Sequence, residues 1–150
     1  MKVLFVCTGN TCRSPMLEFA FRHYLAAQGI TDIDVDSAGV LNREKSMSLN
    51  TVAVLKAHSV PCIERASKFC SEKEISCADL VITVTDEQAG ILQQTYSCNA
   101  YNVKKIISMR DVVGYDIPDP FGQGYEAYEK TYRLINDALP KIWVYIKNRH

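Results

Sequence analysis

The sequence predicts an α/β fold: a single-domain, three-layer sandwich in which a four-stranded parallel sheet carries helices on both faces. Three observations predict it. Short apolar runs of strand length recur along the chain, and segments with apolar residues at three- and four-residue steps stand between them. Strands alternating with helices need right-handed crossovers, which make a sheet parallel and cover both its faces. The 150 residues, 47% of them apolar, suffice for one core without a linker, so residues 1–150 are read as one domain.

The elements follow in order. Lys2 to Val6 is a short buried strand. Ser14 and Pro15 open a helix that runs to Gln28, with Leu17, Ala20, Phe21 and Tyr24 on one face and Gly29 as its stop. Ile33 to Ser37 is the second strand. Ser48 can cap a helix to His58 that buries Leu49, Val52 and Leu55, and Leu80 to Val84 is the third strand, after which Asp86 starts another helix. Val103 to Ser108 is the fourth strand. Beyond a Pro/Gly-rich loop, Tyr125, Tyr128, Tyr132, Ile135, Leu139, Ile142 and Ile146 mark a long terminal helix. Pro140 lacks an amide hydrogen and predicts a kink or restart there. The helical spacing of Tyr125 and Tyr128 favours packing over a role as modification sites.

Composition narrows the function. Seventeen basic and seventeen acidic residues cancel, leaving no global field to recruit nucleic acid or an anionic membrane. The chain enters its first strand at once and holds no long apolar stretch, so the expected compartment is the cytoplasm. Six dispersed cysteines are expected as free thiols, and His23, His58 and His150 each stand alone, so neither a metal site nor a cofactor is expected.

The chemistry concentrates at Cys7 to Pro15, Cys-Thr-Gly-Asn-Thr-Cys-Arg-Ser-Pro, between the first strand and the first helix. Of the six cysteines, Cys7 alone has an arginine, Arg13, six residues on. Gly9 and Asn10 permit unusual backbone angles, so the amides from Thr8 to Arg13 can turn inward as an anion cradle beside a helix N-terminus. Arg13 can grip two phosphate oxygens. A cysteine in such a field can fall from about 8.5 to roughly 3.5 to 7.5 in pKa, and a thiolate touching phosphorus can attack it. The turn leaves the carboxyl end of the first strand, where open parallel sheets bind ligands. A nucleophile needs a proton donor for its leaving group; Asp119, between Pro118 and Pro120 in a stiffened loop, is the candidate.

The loop resembles the phosphate-binding loop of the low-molecular-weight protein tyrosine phosphatases, whose bacterial members include protein arginine phosphatases. Ser37-Ala38-Gly39 and Ile117-Pro118-Asp119-Pro120-Phe121-Gly122 resemble the family's later markers. The resemblance implies a phosphocysteine intermediate, with Arg13 binding the phosphoryl oxygens and Asp119 first protonating the leaving group and then activating water. It further implies that Asn10 holds the loop's shape, Ser14 donates to the Cys7 sulfur and Ser37 supports Asn10. The family often has a supporting His in the segment Ser59 to Ala66, where this chain has Glu64. Cys12 either packs the loop or forms a reversible disulfide with Cys7.

The expected partners are phosphorylated protein or peptide side chains, with inorganic phosphate or other oxyanions held in the loop. Phe121 would face the substrate side chain. Thr11 stands where tyrosine-type relatives usually carry a larger aliphatic residue, and its hydroxyl could accept from a guanidinium, so phosphotyrosine and phosphoarginine are both expected candidates. Two alternatives compete: a thiol-dependent arsenate reductase on the same fold, and a phosphoprotein-binding module without catalysis. Thr85-Asp86 stands where the reductase's relay cysteine is expected, and a module needs neither nucleophile nor acid.

Overall fold

The computed structural model describes residues 1–41 and 45–149. His150 and part of the loop between Gly39 and Ser48 lie outside the described residues. In chain order the elements are β1 (Lys2–Cys7), α1 (Arg13–Ala27), β2 (Asp34–Gly39), α2 (Leu49–Ala57), α3 (Glu72–Cys77), β3 (Leu80–Thr83), α4 (Asp86–Thr95), α5 (Ala100–Lys104), β4 (Ile106–Ser108), α6 (Met109–Val113) and α7 (Tyr125–Arg149).

The four strands are all parallel, in the order β2-β1-β3-β4. Val3 lies between Val35 and Leu80, and Phe5 between Ser37 and Ile82. The chain leaves β1 to one side for β2 and crosses back to the other side for β3. The order therefore reverses at β1, and the crevice for a ligand opens at its carboxyl end, where Cys7 sits.

Alternation along β1 divides the core. Val3, Phe5 and Cys7 pack with Leu17 and Phe21 of α1, Leu55 of α2 and Ile135 of α7, whereas Leu4 and Val6 pack with Ile75 of α3 and Ala89 and Leu92 of α4. Phe5 meets Phe21 edge-on with centroids 5.8 Å apart. Helices thus cover both faces, as expected, and β1 is buried from both sides.

Several boundaries differ from expectation, each for a local reason. α1 begins at Arg13, so Ser14 lies inside the helix and its hydroxyl serves the preceding loop instead of capping. Its far end is a Schellman turn: Gly29 has φ 72°, and Ile30 N–H donates to Leu25 C=O at 2.9 Å. Leu49 is 86% exposed, because the buried side of α2 is Thr51, Val52, Val54 and Leu55. The fourth strand shrinks to Ile106–Ser108, since Asn99 caps the short helix α5 over its expected first half. Helices α3 and α6 were not expected from periodicity. α7 passes through Pro140 without ending. Pro140 and Asn136, the residue whose carbonyl it cannot bond, are both exposed, so solvent can satisfy that carbonyl. No helix among the described residues is long and apolar enough to cross a membrane.

One carboxylate is carried into the interior by α1. Glu18 is only 1% exposed. Its Oε1 accepts from Arg65 Nη2 at 3.0 Å, while Oε2 is buried without a hydrogen-bond partner. Burial, followed by the neighbouring Asp36 carboxyl, pushes Glu18 above its usual range against the pull of Arg65. For Asp36, burial would raise the value, but Lys68 and the Ser37 amide hold it below the ordinary carboxylate range.

The two shifts act in different pH windows. A raised folded-state value means that Glu18's contribution to stability is present below the unfolded value, about 4.5, and is lost as pH rises through the folded one. Asp36's contribution is present above about 3.8 and is lost as pH falls through its lowered value. Glu18→Gln keeps an acceptor for Arg65 and removes the titration. Urea unfolding measured across pH should show wild type losing stability relative to Glu18→Gln as pH climbs above about 4.5; parallel curves would contradict this.

Candidate active site

Residues 8–12 turn the chain from β1 into α1, and Asn10 makes the turn possible. Its φ of 54° is a left-handed conformation that asparagine tolerates better than most residues. The side chain is fully buried and fully bonded. Nδ2 donates to Ser14 Oγ at 2.8 Å and Ser37 Oγ at 2.9 Å, while Oδ1 accepts from Arg65 Nη1 at 3.1 Å and the Lys68 amide at 2.9 Å. These use both donors and both acceptor sites of the amide. Gly39 leaves the room: a Cβ there would stand 2.9 Å from the Thr8 carbonyl oxygen and 3.1 Å from Asn10 Cβ.

That conformation aims a donor at the sulfur. The Asn10 N–H points to Cys7 Sγ at 3.2 Å, and Ser14 Oγ lies 2.9 Å from the same atom. Donors so placed stabilise negative charge on sulfur. Thr8 is braced from α4, where Gln88 Nε2 donates to its hydroxyl at 2.9 Å. The Thr11 carbonyl accepts from the Ser48 amide and the Thr51 hydroxyl, which ties the loop to the start of α2.

Arg13 joins this loop to the late one. It is 6% exposed, its Nη1 donates to the Ile117 carbonyl at 3.0 Å, and its Nη2 lies 3.6 Å from Asp119 Oδ2. The late loop is pinned elsewhere too: Ile117 N–H donates to the Val84 carbonyl, and Asp116 accepts from the Asp86 amide and Arg110. The Asp119 side chain stays 54% exposed, so it can reach both a bound group and solvent. Its Oδ1 accepts from the Phe121 amide at 3.1 Å.

Cys7, Thr8, Gly9 and Arg13 share one pocket with Thr11 and Cys12. Leu41, Lys45, Asp119 and Phe121 line it as well. Every loop residue singled out from sequence is therefore at this place, with Asn10, Ser14 and Ser37 beneath it. Among the described residues, no cluster of three or more His, Cys, Asp or Glu could hold a metal ion.

Sequence reasoning missed several contributors. Glu64 is exposed, and the support from that segment comes from its neighbour Arg65, which bonds Asn10, Glu18 and Ser37 Oγ together. Tyr128, expected to pack within the terminal helix, also meets the loop. It is buried, its hydroxyl lies 3.4 Å from Cys12 Sγ, and burial followed by that contact pushes it up to about 12. Gln88 carried a signal, the Thr85-x-x-Gln88 capping box, but nothing in it shows the reach to Thr8. Arg65 carried none.

The profile of the low molecular weight phosphotyrosine protein phosphatases matches residues 2–149. A low molecular weight protein-tyrosine-phosphatase, PtpB of Staphylococcus haemolyticus, is 34% identical over 145 residues, covering 95% of this chain and 97% of that protein. The protein-arginine-phosphatase of Bacillus subtilis is 30% identical over 146 residues, covering 95% and 94% respectively. A solved YwlE arginine phosphatase, a cysteine-to-serine mutant with its active-site serine phosphorylated, superposes with a TM-score of 0.89 at 28% identity, over 98% of this chain and 96% of that one. With a cysteine, an arginine and an aspartate gathered at the switch point of such a sheet, and a family profile spanning nearly every residue, the chain belongs to the low molecular weight phosphotyrosine protein phosphatase family.

Proposed function

We propose that this protein, as one phosphatase domain, hydrolyses phosphorylated protein side chains through a phosphocysteine at Cys7. The observation that carries the proposal is the Cys7 sulfur on a pocket floor, bonded by the Asn10 amide and Ser14, with Asp119 on the pocket wall and Arg13 between them.

Cys7 Sγ attacks phosphorus in line, and the bond from phosphorus to the leaving oxygen or nitrogen breaks. Asp119 delivers a proton to that atom as it departs. Arg13 and the loop amides hold the equatorial oxygens, whose charge they match without reorganising. Asp119 then takes a proton from water, which attacks the phosphocysteine; the S–P bond breaks and inorganic phosphate leaves with the sulfur again anionic. Free thiols at all six cysteines support a cytoplasmic place of action.

Two features weigh against arsenate reduction by a cysteine relay. Cys70 is buried, and its burial, with Glu74 nearby, pushes the thiol up to about 12, so it is protonated at neutral pH. Cys77 is exposed on α3, before β3, and Thr85 caps α4 where a relay cysteine is expected. A mere binding module needs neither a sulfur nucleophile nor an acid.

Purified wild type should turn over p-nitrophenyl phosphate, and Cys7→Ser should lose that turnover. Equal hydrolysis by both proteins would end the mechanism. For the side chain, phosphotyrosine and phosphoarginine are the two candidates, at a pocket lined by Thr11, which offers a hydroxyl, and Phe121, which offers an aromatic ring. Thr11→Ile adds apolar surface and removes the hydroxyl, a change worth roughly 10-fold or more in discrimination. Its ratio of kcat/KM on phosphotyrosine over phosphoarginine peptides should rise by about that factor; an unchanged ratio would remove Thr11 from selectivity.

A further inference from the structure

Lys45 stands on the wall of the phosphate pocket without a counter-ion among the described residues. Its side chain lines the same cavity as Cys7 and Arg13. Arg13, Arg65, Lys68 and Arg110 each face a carboxylate, and none of the ion pairs among the described residues includes Lys45.

Its root is nevertheless fixed. The Lys45 amide donates to Ser67 Oγ at 3.0 Å, and the Lys45 carbonyl accepts from the Ser67 amide at 2.7 Å. Ser46 bridges to Ala66 in antiparallel fashion, and the Lys68 amide reaches Asn10 Oδ1. The segment that clamps the nucleophile loop thus also positions this lysine. Lys45 has an anchored backbone and is exposed, with no side-chain partner among the described residues, an arrangement suited to meeting an external anion.

The scissile phosphoryl group already has Arg13 and the loop amides at the floor. A phosphorylated side chain reaching Cys7 must bring its own backbone to the mouth, past the exposed Leu41 and Phe121. Its chain neighbours then pass within range of the Lys45 wall. Among the described residues the one carboxylate lining the pocket, Asp119, is 3.6 Å from Arg13 and partly neutralised by it. Building on the phosphoprotein phosphatase function above, we propose that Lys45 selects phosphorylated segments whose neighbouring residues are acidic. Exposed ion pairs are modest, so each unit of flanking charge should change kcat/KM by about two-fold, and salt should screen the effect.

The test uses peptides differing only in two flanking residues, Asp, Ala or Lys, made as a phosphotyrosine series and a phosphoarginine series. Wild type, Lys45→Glu and Lys45→Arg are compared by kcat/KM at low salt and at about 0.5 M. In whichever series is hydrolysed, wild type and Lys45→Arg should favour the Asp-flanked peptide over the Lys-flanked one by roughly ten-fold at low salt. Lys45→Glu should reverse the order, and high salt should flatten it. The same Asp-to-Lys ratio in wild type and Lys45→Glu would overturn the proposal. Turnover of p-nitrophenyl phosphate but of no peptide would overturn the protein-substrate function, and the Lys45 proposal with it, which separates the two failures.

Discussion

A single asparagine in a left-handed conformation sets the site. Asn10 has φ 54° and no exposure, and all four hydrogen-bonding positions of its side chain are filled. Removing any one partner would leave a buried polar group unpaired, at a cost of about 1–3 kcal/mol. Without that backbone angle the Asn10 amide would not point at Cys7 Sγ. The residues that impose the angle come from distant parts of the chain: Ser37 lies in β2, Arg65 and Lys68 follow α2, and Gly39, the last residue of β2, keeps its Cα side clear. The sheet thus positions Cys7, the proposed nucleophile, through long-range bonds to one amide.

Arg13 performs the same joining for Asp119, the proposed acid. It is rooted in the first turn of α1, yet it bonds the Ile117 carbonyl and approaches Asp119. Ile117 is fully buried and its amide extends the β3 region through the Val84 carbonyl. The rigid part of the late loop therefore ends at Ile117, and Asp119 extends beyond it, half exposed, as its proposed role of proton donor and acceptor requires. Pro118 and Pro120 stiffen that extension.

Local pattern made most of the architecture legible. The apolar run of β1, the Ser48 cap and the Gly29 stop each act within a few residues of themselves, so sequence alone carries them. The Cys7 to Pro15 loop was legible for the same reason, since its spacing is contiguous. Arg65 was not, because its partners Asn10, Glu18 and Ser37 lie 55, 47 and 28 residues away and only the fold brings them together. Leu49 and the shortened β4 show the converse limit: which side of a helix start faces water, and whether Asn99 caps a short helix, depend on competition that periodicity does not resolve.

The central claim is that the sulfur of Cys7 itself carries the phosphoryl group. In Asp119→Asn with p-nitrophenyl phosphate, a leaving group that needs little protonation should let the first step proceed while hydrolysis of the intermediate slows. Acid-quenched samples digested and read by mass spectrometry should then show a phosphoryl adduct on the Cys7 peptide that appears and decays with turnover. Continued turnover with no phosphoryl on Cys7 at any quench time, or with the adduct on another residue, would contradict the account.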